Sequence, residues 1–129
     1  MSEERILLDY LNDILESISD IREFTVGMTI ESFSKDKKTI KAVVRSLEVI
    51  GEAAGKIPDQ IRDRYTEIPW QEITGMRNRL IHEYFGIDLD IIWQTLEEDL
   101  EPLDKAVKRI VSETSLEKRI KSANGLTDT

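Results

Sequence analysis

The stretch MRNRLIHEYFG, Met76 to Gly86, holds the only histidine of a 129-residue chain. Arg77 lies five residues before His82, Asn78 four before it, and Tyr84 two after it. An imidazole titrates near neutral pH and can take or give a proton there. A guanidinium offers paired donors to a phosphate. An amide can orient either group, and a phenol is both a donor and an acceptor. Each helical residue turns about 100° from the last, so Asn78 and His82 share a face. Arg77 and Tyr84 share another, close to the first. Each residue also has a plainer use. A histidine near a helix end answers the C-terminal dipole, and a tyrosine there packs its ring. Spacing alone leaves the two uses open.

Other chemistries are poorly supplied. The chain has no cysteine, so disulfides, thiolate ligands and thiol nucleophiles are excluded. One histidine without further strong ligands does not make a zinc site. No glycine-rich loop follows a strand to cradle a nucleotide. Glu97, Glu98 and Asp99 are consecutive, point in different directions on a helix, and read as a solvated face. Apolar stripes that resemble cofactor boxes read as core, and no cofactor is expected.

These residues need elements to position them. Leu7, Leu11, Ile14, Ile18 and Ile21 alternate in steps of four and three, which gives one apolar stripe on a long helix. FTVGMTIESFS interrupts the pattern. Ile40, Val43, Val44, Leu47 and Ile50 define a second helix that runs into GEAAGK, where Gly51, Ala54 and Gly55 suggest close backbone approach. Pro58 and Pro69 can each open a helix from its first turn. Gly86 is placed to end the second of these. Asp88 or Asp90 can cap a last long helix with the stripe Leu89, Trp93, Leu96, Leu100, Leu103, Val107 and Ile110. Pro102 should kink it. No segment alternates as a strand would, and there are no repeats or linkers. The expectation is an all-α antiparallel bundle of four to five helices. One domain should span residues 1–113, with a frayed tail over 114–129.

The start, MSEERILLDYLNDILES, is acidic and amphipathic, unlike a secretory leader. No run reaches the roughly 20 apolar residues of a membrane span. A soluble cytoplasmic protein is expected, with no membrane partner. The net charge of −8 disfavours indiscriminate nucleic-acid binding. Its distribution matters, however. Residues 35–82 carry ten basic and seven acidic residues, while both flanking thirds are acidic. Lys35, Lys37 and Lys38 in KDKK read as a solvated helix start. Arg77 and Arg79 flank the motif itself.

GMRNRLIHEYFGID resembles the signature of the HepT-like family, a branch of the HEPN domains: arginine, four residues, histidine, one residue, tyrosine. Arg77, His82 and Tyr84 meet that pattern, and Asn78 matches the polar residue that commonly follows the arginine. LLDYLNDILESISDI, LEVIGEAAGKIP, IPWQEITGMRN and IDLDIIWQTLEEDL extend the resemblance over Ile6 to Leu103. It implies a HEPN-like helical homodimer. It also implies a toxin that is a metal-independent endoribonuclease, its composite site formed where two motif helices meet and built from Arg77, His82 and Asn78. The implied antitoxin is a minimal nucleotidyltransferase that adenylylates Tyr84. The resemblance fits the chemistry, because RNA carries its own nucleophile in the 2′-hydroxyl. An alternative expectation is a catalytically inactive HEPN-like interaction protein that serves as AMP acceptor and partner-binding module.

Overall fold

A computed structural model of the chain describes residues 3–82 and 89–123, with side chains over 5–76 and 89–116. The described residues form α1 (Glu3–Thr25), α2 (Ile30–Lys35), α3 (Lys37–Gly55), α4 (Asp59–Arg64), α5 (Trp70–His82), α6 (Leu89–Glu98) and α7 (Leu100–Ala123). No strand occurs among them. The chain is an all-α, HEPN-like bundle. Five longer helices build it, and α2 and α4 are six-residue connectors.

The α1 stripe is buried as its spacing requires. Leu11, Ile14, Ile18 and Ile21 are fully enclosed, and Leu7 nearly so. They pack on α3 and α7. Arg22, near the end of α1, reaches Asp104 at 3.6 Å and Glu101 at 4.0 Å, near the start of α7. That pairing of opposite ends sets α1 and α7 antiparallel.

The interrupting segment is more ordered than its composition suggests. Gly27 turns the chain with φ at +74°, the left-handed region that glycine enters freely. Thr29 then opens α2 with a capping box. Its hydroxyl accepts from the Ser32 amide at 3.2 Å, and the Ser32 hydroxyl accepts from the Thr29 amide at 2.9 Å. The short helix is held by Phe33, which is fully buried and lies 5.1 Å from the Trp93 ring of α6. Asp36 ends α2 and caps α3. Its carboxylate accepts from the Thr39 amide at 3.0 Å and from the Thr39 hydroxyl at 2.8 Å. Those bonds, the amide's first, hold its pKa below the ordinary value.

The expected kink at Pro102 is a break. Helix α6 stops at Glu98 and α7 restarts at Leu100. Pro102 cannot donate to the Glu98 carbonyl, and its ring would press on it. In the first turn of a new helix the missing N–H costs little. Ile92 is buried on α6, while Leu89, Trp93 and Leu96 are partly buried. Helix α7 continues through residues 114–123 as helical backbone, so residue 113 is not a helix end.

Helix α7 is pinned to the α4–α5 connection. The buried Tyr65 hydroxyl donates to Glu113, and Arg109 lies 4.9 Å over the Tyr65 ring. Arg109 also reaches Glu67 at 2.6 Å and Glu113 at 3.5 Å. Burial, then the bond to Glu113, pushes the Tyr65 pKa up to about 12. A raised native pKa favours the neutral phenol in the folded state. This stabilisation is complete below the unfolded value of about 10 and is lost as pH rises through the native one. Urea midpoints should therefore fall between about pH 10 and about pH 12 in the wild type. Tyr65→Phe should be less stable near neutral pH by about 1 kcal/mol and should lack the tyrosine share of the alkaline loss. Equal alkaline slopes in the two proteins would contradict this account.

Candidate functional site

Arg77, Asn78 and His82 fall in the last two turns of α5, on helical backbone. The structure thus places positions 78 and 82 one turn apart on a single helix. Their side chains lie outside the described set. Tyr84, Gly86 and Asp88, the expected AMP acceptor, helix stop and cap, lie outside the described residues altogether.

The support of this helix is well defined. Trp70 and Ile73 bury one side of its first turns. The Trp70 indole Nε1 donates to the Tyr65 carbonyl at 3.1 Å, which ties the helix start to the pinned connection. Arg62 donates from Nε to the Ile57 carbonyl at 3.0 Å and from a terminal nitrogen to the Gly55 carbonyl at 2.8 Å. It thereby closes the end of α3 and ties the turn between α3 and α4. Helix α5 packs along α3. Ala54 is fully enclosed and Gly51 is buried. At Gly55 an added Cβ would meet the Thr74 methyl at 3.8 Å, an ordinary contact. The expected close approach is therefore not seen at Gly55.

A cavity of about 350 Å³ opens beside α5. Leu47 and Ile50 of α3, Ile73 and Met76 of α5, and Leu100 and Leu103 of α7 give it an apolar floor. Glu67, Glu72 and Asp99 stand at its edge. Glu97, Glu98 and Asp99 are all exposed, as expected of a solvated row, and Asp99, in the break between α6 and α7, also lines the cavity. Asp99 occupies the capping position of α7, where the third amide is missing because that residue is Pro102. The signal for this position was legible as D-L-E-P, a capping residue with a proline three places on.

Among the described residues no group of three or more His, Asp or Glu stands close enough to hold a metal ion. No described helix is long and apolar enough to cross a membrane.

Comparisons with known proteins place the chain in a family. The profile described as "Ribonuclease HepT-like" matches residues 14–110. The chain belongs to this HepT-like family. A protein of Thermococcus cleftensis named "Probable ribonuclease HepT" is 50% identical over 95 residues, covering 74% of this chain and 86% of the relative. A Methanocaldococcus jannaschii protein named as a candidate RNase is 44% identical over 108 residues, covering 81% and 89%. Another candidate RNase, from Caldanaerobacter subterraneus subsp. tengcongensis, is 44% identical over 102 residues, covering 79% and 91%. No solved structure matches the chain significantly.

Asp99 provides a test of the cavity's electrostatics. Burial raises its pKa, and the nearby charges of Glu98 and Glu72 raise it further. The folded state therefore favours the protonated acid. That contribution is present below the ordinary aspartate value and is lost as pH rises through the raised one, so the ionised group costs stability at neutral pH. Asp99→Asn should melt higher than wild type at pH 7, and the advantage should shrink as pH falls through the raised value and be gone below about 4. Calorimetry showing a lower melting temperature for the variant at pH 7 would mean that Asp99 is held by a favourable partner.

Proposed function

We propose that the chain is an endoribonuclease that cuts RNA without a metal ion. Membership of the HepT-like family, with Arg77, Asn78 and His82 on the helical backbone of α5, carries this reading. In the reaction the RNA 2′-oxygen forms a bond to the adjacent phosphorus, and the bond from phosphorus to the 5′-oxygen breaks. One proton leaves the 2′-hydroxyl and another reaches the departing 5′-oxygen. His82 is the one side chain of the motif that titrates near neutral pH, and it serves as base or acid. Arg77 places paired donors on the crowded phosphorane, where charge develops. Asn78 orients the phosphate or the imidazole.

One protomer supplies a single imidazole, whereas the reaction needs two proton transfers. A two-fold homodimer meeting along α5 would bring two copies of His82 and Arg77 to one cleft. The acidic character of α1 favours the motif helix over α1 as the self-association surface. We place the enzyme as the toxin of a toxin–antitoxin pair, acting in the cytoplasm and silenced by a nucleotidyltransferase. In that step the Tyr84 phenol loses its proton and bonds to the α-phosphorus of ATP, and pyrophosphate leaves. AMP on Tyr84 would add bulk and negative charge close to the arginine, where RNA phosphate should sit.

His82→Ala and Arg77→Ala should each lower RNA cleavage by at least about 100-fold, the usual scale for losing a proton-transfer group or a charge stabiliser. Cleavage should persist in EDTA and leave 2′,3′-cyclic phosphate ends. Loss of activity in EDTA, restored by a divalent ion, would refute the metal-free step. Light scattering at micromolar concentration should report a dimer.

Tyr84→Phe should keep at least part of the cleavage activity but gain no AMP mass when co-expressed with the cognate nucleotidyltransferase, and it should escape neutralisation. Rescue of cells carrying Tyr84→Phe, with no mass added to the toxin, would show control by binding alone.

A further inference from the structure

Helix α3 carries a feature that its core role does not require. Lys37, Lys41 and Arg45 recur every four residues along it, with Lys38 alongside and Lys35 just before. All five are exposed. No ion pair forms at Lys35, Lys37, Lys38 or Lys41 among the described residues. Arg45 meets Glu48 at 3.4 Å, with 70% of its side chain in solvent. By contrast, Arg62 is spent on carbonyls and Arg109 on Glu67, Glu113 and the Tyr65 ring.

The stripe has a definite place relative to α5. Gly55 of α3 faces Thr74 of α5, and Leu47 and Ile50 share a cavity with Ile73 and Met76. Helix α5 therefore runs back along α3. At about 1.5 Å per residue, the backbone from Thr74 to His82 advances about 12 Å and ends roughly level with Leu47. The N-terminal half of α3 extends beyond that level, and the basic residues lie on it. Lys37 and Gly55 are 18 residues apart, about five whole turns, so they share one line along the helix. That is the line that touches α5. Each four-residue step moves about 40° round the helix, so the stripe starts at the α5 edge and curves toward solvent.

We propose that Lys37, Lys41 and Arg45, with Lys35 and Lys38, form a track for the phosphate backbone of an RNA strand whose scissile bond sits at the end of α5. This inference rests on the ribonuclease reading above. A repeat of flexible, exposed cations one turn apart, of which only Arg45 forms an ion pair among the described residues, suits a repeating anion on an extended strand. The surroundings restrict the route. Asp9, Asp13, Glu16 and Glu23 leave α1 with an exposed acidic face that repels RNA. On α3 itself, Glu48 and Glu52 follow the stripe and end it. The strand therefore leaves the site in one direction, toward the start of α3.

The test uses the full chain carrying Lys37→Ala, Lys38→Ala and Lys41→Ala together, with Lys105→Ala on α7 as a control. Substrates are a 20-nucleotide RNA and a dinucleotide. The triple variant should raise KM for the long RNA about tenfold and leave its kcat within about twofold. It should also make the plot of log affinity against log salt shallower by about 2, close to 0.7 per lost contact on a single strand. Dinucleotide kinetics and the control variant should match wild type. An active variant with unchanged KM and salt slope would overturn the track and leave the stripe to an acidic protein partner or to solvent. If wild type does not cut RNA at all, the ribonuclease reading fails. Anisotropy with labelled 20-mer then decides the track alone: equal affinity and salt slope in wild type and triple variant would overturn it. Lys41→Gln, which changes one exposed side chain, should give about a third of the slope change and guards against misfolding of the triple variant.

Discussion

Helix α3 must bury two faces at once, and the arrangement of the other helices follows from that. Val43, Leu47, Ile50 and Ala54 form one line along it, and Val44 and Gly51 widen that line. An apolar arc this broad cannot be covered by a single neighbour. Both α1 and α5 pack on it. Were the arc narrower, α1 could still be covered by α3 and α7, but α5 would lose its support. Gly51 and Ala54 are buried within this arc.

This arrangement divides α5 into two parts with different duties. Its first turns carry Trp70 and Ile73, which are buried, and its start is tied through Tyr65 to α7. The last two turns carry the motif. A site mounted on a helix whose other end is fixed is held more narrowly than one on a loop, because the backbone positions of residues 77, 78 and 82 move together. The pin of Tyr65, Arg109, Glu67 and Glu113 thus does more than add contacts. It couples the long C-terminal helix to the start of the motif helix, although the two are distant in sequence. Arg109 is half exposed, so its ion pairs add little on their own. The buried ring and hydroxyl of Tyr65 contribute more.

Charge is distributed to match. Family membership points to RNA chemistry in a chain whose net charge is −8, and an acidic protein must confine its attraction for phosphate to a small area. The unpaired lysines of α3 lie beyond the end of α5, while acidic side chains occupy α1 and the second half of α3. The break at Asp99 adds a cavity next to α5 whose edge is acidic. Two environments of opposite sign therefore flank the motif helix.

The sequence by itself determined the helices, because each buries a stripe whose period is local. The spacing of Leu7 through Ile21 and of Val43 through Ile50 is enough to specify α1 and α3. The motif was legible too, since Arg77, Asn78 and His82 need only helical backbone to share a region of α5. Other features were decided by tertiary structure. Whether Pro102 bends a helix or divides it depends on whether the chain can start a new first turn there, and here it does, at Leu100. Phe33 could fold the interrupting segment into α2 only because Trp93, sixty residues on, meets it. That the exposed Asp99 also lines a cavity, and that Lys37 shares a line with the α5 contact, are facts of how helices are placed side by side. Local periodicity fixes what a helix must bury. Which neighbour covers it, and what is left beside the site, depends on contacts between residues far apart in the chain.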